Sequence, residues 1–131
     1  MFILNYINEN SPIILFFIML FMHIIDDYYS QGILASMKQK SWWEKQDNYS
    51  NMYKDDYKIA LLMHSFSWAF TTHLIFIILQ ANINFVIITI IVNTIIHLIV
   101  DDLKANKKKI NLVVDQLIHI GQLWITACLY I

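Results

Sequence analysis

The chain has 131 residues, of which 58% are hydrophobic, and its mean hydropathy is +0.52. That length bounds it to one domain, and the apolar share lies above that of an ordinary soluble protein. A net charge of -1 excludes the basic field that nucleic acid requires, and a single cysteine, Cys128, excludes an intrachain disulfide or a cysteine-rich metal site.

Two glycines and one proline argue against turn-rich β architecture. Four segments instead have the length and apolarity of membrane-crossing helices, for which roughly 17–25 residues suffice. Four such segments in so short a chain disfavour a wholly soluble bundle. The expected fold is all-α: an integral membrane four-helix bundle, one transmembrane domain over 1–131, with an interfacial linker between the first two spans.

The first span is expected over about 12–31, opened by a Ser11 cap with Pro12 in the first turn. No basic residue precedes it and no small-x-small site follows, so it does not read as a signal peptide. Residues four apart share a helical face, which aligns His23, Asp27 and Gln31. The segment over about 34–57 is too polar to span. Its Trp42, Trp43, Tyr49, Tyr53 and Tyr57 are interleaved with lysines and acids, which suits a linker lying on the membrane surface better than a substrate lid.

The second span, about 59–79, aligns His64, Ser67 or Trp68, and Thr71. His73 lies nine residues beyond His64, roughly 13 Å at helical rise, and reads as a packing residue. The third span, about 83–101, aligns Asn93, His97 and Asp101, with Lys104 one turn further. The fourth, about 110–131, aligns Asn111, Asp115, His119, Gln122 and Thr126. Polar groups facing lipid are costly, so these seams are expected to face one another. Met19, Met22 and Met63 read as core filling.

All nine basic residues are lysines. Lys38, Lys40, Lys45, Lys54 and Lys58 fall between the first two spans, and Lys104, Lys107, Lys108 and Lys109 between the last two. Positively charged loops stay in the cytoplasm, which places both termini outside a bacterial inner (plasma) membrane. On that topology His23, Asp27, His64, His97, Asp101, Asp115 and His119 all come to one depth, near the cytoplasmic face. The two halves are loosely alike, each pairing a His-x-x-x-Asp helix with a lysine loop and a returning histidine.

In this pattern the chain resembles the small bacterial and phage membrane proteins grouped as "domain of unknown function 3307". The residues that carry the resemblance are His23, Asp27 and Gln31; Lys38 or Lys40; His64; His97, Asp101 and Lys104; and Asp115, Gln116 and His119. It covers residues 20–125. Asp26 and Asp102 double two of the carboxylates, and the loop from Glu44 to Tyr57 is longer than the usual link. The resemblance implies no activity.

Imidazole and carboxylate without cysteine suit zinc, manganese or iron. Pairs one turn apart on facing helices build metal sites in bundle cores. The seven residues at one depth are candidate ligands for one or two divalent ions. The bland alternative is interhelical hydrogen bonding alone. A metal would activate water near neutral pH, with Asp102 or Asp115 as general base. Lys38, Gln31, Lys104 and Gln116 are candidates for holding the substrate. The depth suggests membrane lipid as partner, and the expected function is metal-dependent hydrolysis of a lipid phosphoester. The rival readings are ion, proton or metal transport or binding, and a non-enzymatic phage or host membrane-interaction protein. A homo-oligomer is compatible with either.

Overall fold

The computed structural model describes residues 12–46 and 52–130. Ser11, Tyr49 and Ile131, which entered the expected cap, linker and last span, lie outside the described residues. Among the described residues six α-helices follow in order: α1 Pro12–Ile24, α2 Leu34–Met37, α3 Lys40–Trp43, α4 Asp56–Ile78, α5 Ile83–Ala105 and α6 Leu112–Leu129. No strand occurs among the described residues.

Four helices are long and apolar enough to cross a membrane: Pro12–Ser30, Asp56–Ile78, Ile83–Ala105 and Leu112–Leu129. They form a bundle in which α1 packs on α4 and α6, and α5 packs on both α4 and α6. The surface is apolar. Along α5, Ile83, Ile87, Ile88, Ile91, Val92, Ile95, Ile96 and Ile99 point outward while Asn93, Thr94, His97 and Asp101 are buried. This inverts a water-soluble helix and is the arrangement that lipid favours.

Local chemistry sets where the helices begin and stop. Asn82 caps α5, its side chain accepting from Asn84 N at 3.1 Å and Phe85 N at 3.3 Å. Asn111 caps α6 by accepting from Val114 N at 3.0 Å. Gly32, at φ +50°, ends the first span with the left-handed residue that glycine adopts freely.

The first span is not α-helical throughout. From Ile25 to Ser30 it widens into a π-helical turn. A regular helix would bury Asp27 below His23 and turn Asp26 away. The wider turn buries both, Asp26 to 4% and Asp27 to 7% exposure. Such turns commonly occur at functional sites.

An apolar core of Leu15, Met19, Trp68, Ala69, Phe76, Val86, Ile90, Leu123 and Ala127 fills one part of the bundle. The ionisable residues fill the end where the lysine-bearing connections lie. Those two connections touch: Asn106 Nδ2 donates to Lys38 O at 3.2 Å, and Lys40 N donates to Asn106 Oδ1 at 2.8 Å.

Candidate metal centre

Five side chains from the four long helices converge. The π turn supplies Asp27, α4 supplies His64, α5 supplies His97 and Asp101, and α6 supplies His119. Their ligand atoms form two overlapping sets, Asp27–His64–His97 and His97–Asp101–His119, each within 4.8 Å. His64, His97, Asp101 and His119 are at most 1% exposed.

His64 Nε2 is the focus of the first set. It lies 3.3 Å from Asp27 Oδ1, 3.2 Å from Asp101 Oδ2 and 3.2 Å from His97 Nε2. Ligands of a tetrahedral ion with bonds of about 2.0–2.1 Å sit roughly 3.3–3.4 Å apart. The second set is centred on Asp101 Oδ1, 3.3 Å from His119 Nε2. Asp101 therefore turns one oxygen to each set. Trp68 and His119 both stack against the His97 ring, at 4.3 and 4.1 Å between centroids, and lie 5.5 Å from each other.

The donor set fits a divalent cation on a second observation. Asp27 Oδ1 and Asp115 Oδ1 are buried without a hydrogen bond, although His64 and His119 nitrogens lie 3.3 and 3.4 Å away. These contacts have the length of an ion pair and the wrong direction for an N–H donor. Buried carboxylate oxygens left so are costly; a cation beside His64 would satisfy Asp27 Oδ1, while Asp115 lies outside both sets. On the outer side of the cluster, His119 Nδ1 pairs with Gln122 Oε1 at 3.0 Å, the kind of bond that orients a metal-binding histidine.

Several expected roles change. His23 lies outside both sets. Trp68 Nε1 can only donate, and it donates to His23 Nδ1 at 2.6 Å. His23 Nε2 then carries the hydrogen and donates to Gln116 Oε1 at 3.1 Å. Both ring nitrogens are spent, so His23 orients its neighbours and does not ligate. Gln116, expected to hold substrate, bridges His23 and Asp115, donating to Asp115 Oδ2 at 3.0 Å. Gln31 turns back on its own helix and donates to the Asp27 carbonyl. Asp115, expected as ligand and base, stands beside the second set and holds Lys104 Nζ at 2.6 Å.

Asp102, the other candidate base, faces away. Its carboxylate accepts from Asn106 Nδ2 at 3.0 Å and pairs with Lys107 at 2.8 Å. Lys38, expected to meet substrate, is buried inside the cluster. Its Nζ lies 2.7 Å from Asp101 Oδ2 and 3.0 Å from His64 Nε2. The 34–57 segment is thus more than a surface linker.

Asp26 and Trp68 were named from the sequence without the roles that the structure gives them. Asp26 forms a separate buried contact, accepting from Ser67 at 2.8 Å and Thr71 at 3.4 Å. Trp68 locks His23 and lines His97. Its position four residues after His64 was the available signal. His73, read as a packing residue, makes a bond from its Nδ1 to Ala69 O at 2.7 Å in the apolar part of the bundle.

No protein-family model, no curated protein and no solved structure matches this chain. The resemblance given by the motif pattern therefore stands on those residues alone.

Proposed function

We propose that this chain is a bacterial inner-membrane protein that binds one or two divalent ions, zinc, manganese or iron, and hydrolyses a lipid phosphoester at the cytoplasmic face. The observation that carries the reading is the convergence of Asp27, His64, His97, Asp101 and His119 from four helices at one level. Because the two sets share His97, they would hold one ion, or two with His97 serving only one of them. A divalent ion there would supply Lewis acidity and a nucleophile near neutral pH.

The chain's own groups supply the rest. Asp115 Oδ1, buried without a hydrogen bond beside His119, is the candidate base, and Asp102 drops out because it faces Asn106 and Lys107. Lys104, a quarter exposed, is held on Asp115 at the lysine-bearing end, where a headgroup phosphate would lie. Elemental analysis of detergent-purified protein tests the reading. About one or two divalent ions per chain are expected from the ligand count. His97→Ala or His119→Ala should abolish binding, and His73→Ala should not. Wild-type protein that takes up no zinc, manganese or iron leaves only interhelical hydrogen bonding.

One observation favours transport as the second reading. From His119 a line of hydrogen bonds continues through Gln122 to Asn93 Oδ1 at 3.1 Å, and from Asn93 to Thr126 Oγ1 at 3.0 Å. This carries polar groups beyond the cluster towards the other end of the bundle. Metal or proton flux into liposomes, stopped by Gln122→Leu, would replace hydrolysis with transport.

A further inference from the structure

Lys38 is an unusual neighbour for a metal site. Its side chain enters the bundle from the short segment that carries α2 and α3, each four residues long. The ammonium touches Asp101 Oδ2 and His64 Nε2 at 2.7 and 3.0 Å, and these two atoms are 3.2 Å apart. An ion bonded to both at about 2.0–2.2 Å lies within roughly 4 Å of Nζ, whichever side it takes. Two cations so close in a buried site repel strongly.

Charge gives the same answer. Asp101 meets the ammoniums of Lys38 and Lys104, Asp115 meets that of Lys104, and Asp27 stands beside them on His64 at 3.3 Å. A divalent ion in the place of Lys38 balances the three carboxylates together with Lys104. Asp26, also buried, is held apart on the Ser67 and Thr71 hydroxyls, so within the cluster itself an ion added beside Lys38 brings more positive charge than Asp27, Asp101 and Asp115 offset.

We propose that Lys38 and a divalent ion compete for one position, so that metal binding expels the Lys38 ammonium and loosens the α2–α3 segment from the bundle. The proposal rests on the metal reading above and adds its regulation. Apart from Lys38, the segment packs on α4 and is tied by the Asn106 side chain, which donates to Lys38 O and accepts from Lys40 N, while Trp43 Nε1 donates to Met37 O within the segment at 2.7 Å. The Lys38 side chain is its one charged anchor inside the cluster among the described residues.

Manganese titration of the purified full chain tests this. Lys38→Met should bind manganese at least about tenfold more tightly than wild type, a change of ~1.4 kcal/mol. Lys38→Gln, of similar length and uncharged, should shift the same way and guards against misfolding of the first variant. The second readout is maleimide labelling of Ser36→Cys in a Cys128→Ser background. Manganese should speed labelling while Lys38 is present. With Lys38→Met, labelling should already be fast and indifferent to manganese. Equal or weaker binding by both Lys38 variants, with wild type still binding, overturns the competition and makes Lys38 a bystander or a ligand. Labelling unmoved by manganese that binds overturns the loosening. Absence of binding in wild type and variants alike removes the metal reading itself.

Discussion

Asp101 and Asp102 are adjacent in sequence and serve different surroundings. Asp101 is 1% exposed with histidines and two lysines about it, whereas Asp102 pairs with Lys107 and Asn106 at the edge. The Asp102 carboxylate holds the Lys107 ammonium above its ordinary pKa, as an exposed ion pair does. Asp101→Asn should therefore weaken manganese binding by more than about a hundredfold, ~2.7 kcal/mol, in calorimetric titration. Asp102→Asn should change it by less than about twofold. A large loss in Asp102→Asn would mean that the helix end rotates when the ion binds. Lys104 gives a finer test at the same scale. Lys104→Met leaves all five ligand side chains in place and removes the ammonium nearest the exposed edge. It should keep the metal and lose hydrolysis of a phosphorylated lipid in mixed micelles. If hydrolysis survives, a phosphate is not held there.

The long helices were legible because length and hydropathy agree with one another. The seams of α4, α5 and α6 were legible because regular 3.6-residue periodicity holds through His64 and Trp68, His97 and Asp101, and Asp115 and His119. The first span broke that rule. Its π turn changes the angular step between His23 and the two aspartates, and no residue between them announces it. The resemblance narrowed the loop lysine to Lys38 or Lys40 and Lys38 was expected to meet substrate, but no signal marked it as entering the core. Deleting Ile25 tests what the wide turn does. The deletion draws Asp27 one residue closer to His23 along a regular helix, so its carboxylate should leave the position beside His64. Circular dichroism should show unchanged helicity, and manganese affinity should fall at least about tenfold, since a ligand is displaced. Unchanged affinity would show that the rest of the cluster is sufficient without the wide turn.

At the scale of the whole molecule, burial is inverted: isoleucine and phenylalanine outside, histidine, aspartate, asparagine and threonine inside. The convergence of the seams follows from this inversion, since each helix has one polar stripe to hide. What the inversion could not reveal is how the hidden groups divide among themselves. That His23 is spent on Trp68 and Gln116 while His64 and His119 face the proposed cation position depends on contacts made 45 and 93 residues away. The lysines add the direction. The bonds from Asn106 to Lys38 and Lys40 bring the two lysine-bearing connections to one end of the bundle, so a single membrane face receives them all. Positive charge resists translocation, and that face is expected to be cytoplasmic. The connection between α4 and α5, Leu79 to Asn82, carries no lysine and should face outward. In a Cys128→Ser background, a membrane-impermeant maleimide should label Asn84→Cys in intact cells. It should label Lys45→Cys and Lys107→Cys only after permeabilisation. The reverse pattern would put the cluster at the outer face, where cytoplasmic lipid phosphates cannot reach it. The proposed substrate would then fail, and metal binding by the same residues would be left standing.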